Sequence, residues 1–199
     1  VEEMKGAAAA FNFETGYIDD RLVVGRKGGG IVQIKVEGVA AHSGLEPEKG
    51  RSAILEAARI VMELEGENDI PRGKLINCGL ISGGIGENTI PDECSLSIGY
   101  RFSSHEIEGE IQAAIDRAVG ISCVAGTKIT KEQKMHIACM ETTAGVLSLF
   151  EHVKRAAKLC GGGVVSSAVV SGGSDSSIAV ALGIPTVCGM GVCGQFNHT

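Results

Sequence analysis

Six segments between Gly28 and about Met135 alternate between two hydrophobic periods, and that order leaves few folds open. IVQIKVEG sets Val32, Ile34 and Val36 against Gln33, Lys35 and Glu37, the period of a half-buried strand. SAILEAARIVMELEG carries Ile54, Ala57, Ala58, Val61 and Leu64 at helical spacing and is closed by Gly66. KLINCGLISGG and CSLSIGYRF read as strands on either side of the turn-rich IGENTIPDE. Ser103 and Glu106 stand at capping-box spacing before a second helical stripe, Ile107, Ile111, Ile115 and Ala118, which ends at Gly120 or at Gly126. TKITKEQKM is a mostly polar fourth strand. Strand, helix, strand, strand, helix, strand is the split βαβ order of a ferredoxin-like sandwich. It predicts an α+β domain over residues 28–137, a four-stranded antiparallel sheet with two helices on one face.

The flanks have a different character. AAAAFNF is an apolar, strand-like run, and GVLSLFEHVKRAAKLCGGG is an amphipathic helix ending in glycines. VVSSAVV, a glycine loop, SSIAVAL and PTVCGMG then alternate strand and helix with the fully apolar strands of a parallel sheet. Residues 1–27 and 138–199 are therefore expected to be parts of one α/β domain, interrupted by the α+β domain.

Composition narrows the function classes. With 44% hydrophobic and 21% charged residues, 199 residues can bury a real core. A net charge of -6 argues against a nucleic-acid binder. No apolar run is long enough to span a bilayer and no secretion signal opens the chain, so a cytoplasmic protein without a membrane partner is expected. Of the seven cysteines none forms a C-x-x-C pair, which argues against a finger-type structural zinc and predicts reduced, mostly buried thiols.

SGGSDSS, Ser171 to Ser177, resembles the pyrophosphatase loop of ATP-using ligases and thiouridylases, S-G-G-x-D-S. Backbone N–H groups between a strand and a helix attract anions. Three readings stand side by side: a nucleotide phosphate, a purely structural turn, and a small carboxylate beside a catalytic centre. Only Ile178 to Thr199 follow the loop, too little for adenine and ribose contacts, which favours the carboxylate.

A second resemblance runs through the whole chain. RKGGGIVQIKVEGVAAHSGLEPEKGRSAILEAARIV is similar to the lid, or dimerisation, domain of the zinc-dependent carboxypeptidase, aminoacylase and deacetylase family. Gly38, His42, Gly44, Pro47 and Gly50 fall on its G-x-x-x-H-x-G, proline, glycine pattern. ENTIPDECSLSIGYR resembles the N-x-I-P segment and the strand ending in Arg, and GGSDSSIAVALGIPTVCGMGVCGQFNH resembles the closing segment. FNFETG resembles a strand end that carries an acidic metal ligand.

The resemblance implies roles. Glu14 and His198 would be ligands of a two-zinc site, oxygen and imidazole donors that suit Zn²⁺ or another divalent metal. His42 would reach across a homodimer to polarise the scissile carbonyl. Asn88 and Arg101 would bind substrate, Arg101 gripping a free carboxylate with its planar fork. Gly172 and Gly173 would present N–H groups to it. The segment FNFE points to the glutamate carboxypeptidase and deacylase branches, with a small peptide or N-acyl amino acid as substrate. His105, His136 and His152 match no motif and are read as structural. The family also needs a histidine, a bridging aspartate and a Glu-Glu pair upstream of Glu14, and Glu2-Glu3 stands too close to the strand to supply that pair. The expectation is a fragment of a metal-dependent amide hydrolase, inactive by itself. A non-catalytic homodimerising or ligand-binding module is the alternative, and an ATP-using enzyme acting through the SGGSDS loop comes third.

Overall fold

The computed structural model describes residues 4–194. In chain order they form β1 (Ala10–Phe11), β2 (Arg21–Glu37), β3 (Ala41–His42), α1 (Ala53–Glu65), β4 (Leu75–Gly83), β5 (Thr89–Ile90) and β6 (Glu93–Phe102). Then follow α2 (His105–Gly120), β7 (Lys128–Ile137), α3 (Ala144–Leu159), β8 (Ser166–Ser171), α4 (Ser176–Ala181) and β9 (Thr186–Val187). Two compact units result. One joins the segment ending at Gly28 to the segment beginning at Ala138, and Gly29–Ile137 is the other. Among the described residues no helix is long and apolar enough to cross a membrane.

In the Gly29–Ile137 unit the strands lie in the order β4-β6-β2-β7, with β4–β6 and β2–β7 antiparallel. Alternate residues turn inward: Val32, Ile34 and Val36 on β2, and Cys94, Leu96, Ile98, Tyr100 and Phe102 on β6. Helix α1 packs on β4 and β6, α2 on β6 and β7, and the helices on each other. Ile60, Leu64, Ile111 and Ile115 are fully buried there, each contributing about 1.5–3 kcal/mol. Ser52 caps α1 by accepting from Leu55 N, and Gly66 stands at its C-terminal cap. Helix α2 corrects the capping-box expectation by one residue. Its cap is Ser104, extended and accepting from Ile107 N, because the Ser103 hydroxyl donates to the Arg72 carbonyl at 2.8 Å. The helix ends at Gly120, not Gly126.

Strand β2 starts ten residues before the alternating segment read from sequence, at Arg21 rather than Ile31, and runs through Gly28, Gly29 and Gly30, all buried. A Cβ on Gly30 would stand 2.3 Å from the Tyr100 hydroxyl, and one on Gly29 2.7 Å from the Tyr100 carbonyl. These glycines are strand positions that the Tyr100 side chain and backbone approach closely.

Glu56 on α1 is fully buried. It accepts from Val124 N (2.7 Å), Cys123 N (2.8 Å), the Ser122 hydroxyl (2.9 Å) and Arg59 Nε (2.7 Å). Burial alone would raise its pKa, but these donors, Val124 N foremost, outweigh it and hold the carboxyl at about 2.

In the other unit β1 pairs parallel with β9 and β2 parallel with β8, and an antiparallel bridge joins Val23 to Cys188. Its core is Val23, Val24, Met140, Val146, Phe150, Val180, Val187 and Cys188. AAAAFNF is less of a strand than expected. Only Ala10–Phe11 pairs, because its partner β9 is two residues long, and Phe13 is 71% exposed. VVSSAVV pairs only from Ser166 onward, leaving Val164 in solvent. The expectation of mostly buried thiols is also corrected. Cys94, Cys139 and Cys188 are buried, Cys78 is half-buried, and Cys123, Cys160 and Cys193 are exposed; none of the seven is in a disulfide among the described residues.

Candidate functional site

A cleft of about 810 Å³ opens beside the end of β1, lined among others by Glu14, Tyr17, Arg26, Ser171 and Gly173. Asn12 ties the strand end to the glycine loop. Its side-chain carbonyl accepts from Glu14 N at 2.9 Å, and its amide donates to the Ser174 (3.1 Å) and Ser176 (2.9 Å) hydroxyls. Glu14 and the Gly172–Gly173 loop, 158 residues apart at their nearest positions in sequence, are thus neighbours. Gly172 has φ +110°, a conformation that favours glycine. Helix α4 after the loop has only six residues, and Asp175 makes no side-chain cap bond, so the loop's fixed partners are side chains rather than a long helix dipole.

One residue of this cleft was not legible as a site residue. Arg26, in β2, is the cation that meets Glu14: Nη2 lies 2.9 Å from Glu14 Oε2 and 3.2 Å from Cys188 Sγ, and Nη1 donates to the Gly172 carbonyl at 3.3 Å. Its side chain is 12% exposed, and its Nε is buried without a hydrogen-bond partner among the described residues. The available signal in the sequence was slight, a charge set beside Lys27 between Gly25 and Gly28.

Glu14 fits one position of a metal's coordination sphere. Its carboxylate is half exposed to the cleft, and among the described residues Oε2 takes the side-chain contacts while Oε1 takes none. A zinc site needs three or four such donors, so Glu14 fits as one member of a larger set. His198, its expected companion, lies outside the described residues.

The remaining candidates are in the Gly29–Ile137 unit, at two places. β3 pairs with β5, setting His42 opposite Thr89, and Ser43 N donates to the Asn88 carbonyl at 2.9 Å, so His42 and Asn88 sit side by side and exposed. His42 Nδ1 accepts from Gly44 N at 3.1 Å, which in the neutral ring leaves the proton on Nε2, a donor suited to a carbonyl oxygen. Arg101 is the penultimate residue of β6, exposed, donating from Nη1 to the Tyr100 carbonyl. Asn88 precedes the start of that ten-residue strand, so Arg101 and the His42–Asn88 pair lie at opposite ends of a span of about 30 Å. The three other histidines have local partners: His105 and His136 on Glu108, His136 also stacked on Phe102, and His152 on the Ser148 carbonyl.

The model of the peptidase dimerisation domain of M20 peptidases matches residues 24–125. A probable carboxypeptidase of Paracoccidioides brasiliensis (strain Pb18) is 39% identical over 124 residues, 56% of this chain and 28% of that protein. Carboxypeptidase G2 of Pseudomonas sp. (strain RS-16) is 24% identical over 199 residues, all of this chain and 48% of that protein. Among solved structures, an aminopeptidase of Bacillus cereus superposes with a TM-score of 0.70 at 23% identity, covering 94% of this chain and 50% of that one. A tripeptidase of Staphylococcus aureus gives 0.68 at 23% identity, over 100% and 52%. The chain thus spans half or less of the length of the curated relatives it matches.

Proposed function

The chain belongs to the M20 peptidase family, and from that premise we propose that it is part of a metal-dependent amide hydrolase of the glutamate carboxypeptidase type. The observation that carries the reading is the shared cleft, where the Glu14 carboxylate, one oxygen open among the described residues, faces the same space as the Gly173 backbone. The name of carboxypeptidase G2, and its alignment over the whole of this chain, favour that branch over the peptidases known here by fold alone.

In this reading the unit that holds Glu14 is a portion of the catalytic α/β domain and Gly29–Ile137 is the lid. Glu14 and His198 each hold one of two divalent metal ions, zinc by the nature of the donors, together with residues this chain does not contain. When bound, such a metal supplies Lewis-acid activation of water and of the scissile carbonyl. Gly172 and Gly173 offer N–H groups to a substrate carboxylate, and Arg101 grips a carboxylate through its fork. His42 and Asn88 serve a neighbouring subunit's substrate. Their distance along β6 from Arg101 supports that division, since one small substrate cannot span about 30 Å. A homodimer through α1 and the edge strand β4 fits the exposed Leu55, Met62, Leu80 and Ile81, an apolar surface that a two-fold axis would cover with its own copy.

The test is hydrolysis of N-acyl amino acids and glutamyl amides by the full-length protein. Activity should vanish with a chelator, return with zinc, and be absent from the 199-residue chain. A metal-loaded full-length protein inert toward both substrate classes would sink the proposal.

A further inference from the structure

We propose that Arg26 is a positioning residue that sets both the Glu14 carboxylate and the Gly172–Gly173 peptide, so that one guanidinium orients the metal-facing and substrate-facing halves of the cleft. The proposal rests on the reading of Glu14 as a metal ligand and goes beyond it.

The geometry is that of a planar fork used at two points. Nη2 engages Glu14 Oε2 at 2.9 Å, so the contact holds one carboxylate oxygen and leaves Oε1 without a side-chain partner among the described residues. Nη1 engages the Gly172 carbonyl at 3.3 Å. Because the Gly172–Gly173 peptide is trans, holding that carbonyl fixes the Gly173 N–H in the opposite direction. No other hydrogen bond to this peptide is found among the described residues, although Asn12 holds the neighbouring Ser174 hydroxyl at 3.1 Å. A Cβ on Gly172 would meet no atom within 4 Å, and no other donor reaches its carbonyl. Arg26 itself is anchored. Its backbone exchanges two 2.9 Å hydrogen bonds with Met140, and its side chain is almost enclosed. Lysine offers a single ammonium and cannot hold both acceptors from two fixed nitrogens.

Two variants, Arg26→Gln and Arg26→Lys, test this, with Glu14→Gln as reference. Zinc affinity is measured on the full-length protein by competition with a chromophoric chelator, and the order parameter of the Gly173 amide is measured by NMR relaxation on the same full-length protein. Arg26→Gln should weaken zinc binding about tenfold or more, as loss of an outer partner of a ligand does. The Gly173 order parameter should fall from about 0.85 to below about 0.6 in both variants, while Arg26→Lys regains part of the zinc affinity through its charge. An Arg26→Gln protein that unfolds at the parent's temperature, with zinc affinity and Gly173 order unchanged, overturns the proposal. Tighter zinc binding also overturns it, since Arg26 would then compete with the metal. If Glu14→Gln binds zinc as tightly as the parent, the ligand reading of Glu14 is what fails, and a Gly173 amide still rigid in Arg26→Gln then decides against Arg26 as well. Should Arg26→Gln not fold, Arg26→Lys alone decides through the same two measurements.

Discussion

Helices α2 and α3 are both sixteen residues long and both begin on a hydroxyl that accepts a backbone N–H, yet α2 buries five residues and α3 two. Ile107, Ile111, Ala114, Ile115 and Ala118 of α2 are covered by a sheet whose inward faces match them. On α3 only Val146 and Phe150 are buried, while Leu147 is 45% exposed and Leu159 lies in solvent. The two helices are therefore alike in length and cap, and what differs most is the surface each is given to pack against. Most helical stability comes from that packing, so the two units should resist unfolding to different degrees.

The sharpest way to break this comparison is a pair of truncations. Ile115→Ala should cost about 4 kcal/mol, the transfer and cavity cost of a closed core, whereas Leu147→Ala should cost less than about 0.5 kcal/mol. Urea unfolding followed by circular dichroism measures both, and equal costs would mean that α3 is covered after all.

The next effect is electrostatic and confined to the Gly29–Ile137 unit. Glu56 is held at about 2 against an ordinary value of 4.5. A carboxyl lowered on folding stabilises fully above its unfolded value, and that contribution fades as pH falls from about 4.5 toward 2. It amounts to about 3 kcal/mol. Glu56→Gln should remove a similar amount at pH 7 and flatten the loss of stability between pH 5 and pH 3, read as the urea midpoint at each pH. A variant as acid-sensitive as the parent would place the sensitivity elsewhere.

The smallest effect sharpens the comparison by its equality. Ser104→Ala and Thr143→Ala each remove one cap bond and should each cost about 1 kcal/mol. Thermal unfolding that shows one cap worth several times the other would mean that local signals do differ between the units.

Periodicity made the Gly29–Ile137 unit legible because each of its strands and helices has one wet side. The stripe on α1 and the alternation of Val32, Ile34 and Val36 follow directly from that. The glycine run hides its strand because glycine carries no hydropathy, and only the Tyr100 ring and carbonyl reveal why Gly29 and Gly30 are bare. In the other unit the strands pair over two to six residues, too few for a pattern to declare itself. Of the cleft, Glu14 and the glycine pair were visible as types in suggestive surroundings. Arg26 was not, because its meaning lies in acceptors 12, 146 and 162 residues distant. The adjacency of His42 and Asn88 likewise depends on a two-residue pairing that no local rule announces.

In the register of β2 and β7, Gly29 stands directly opposite Ile137. The first and last residues of that unit are therefore ladder partners, about 5 Å apart. A segment whose ends meet in this way can be lifted from one host and grafted into another without stretching either, or closed on itself with a short linker and reopened at a surface turn such as Gly84–Asn88. Its sheet order would survive the rewiring, since both β2–β7 and β4–β6 remain intact when the cut falls between β4 and β5. Circular permutants opened there should fold, with the new junction spanning one rung of the unit's own ladder.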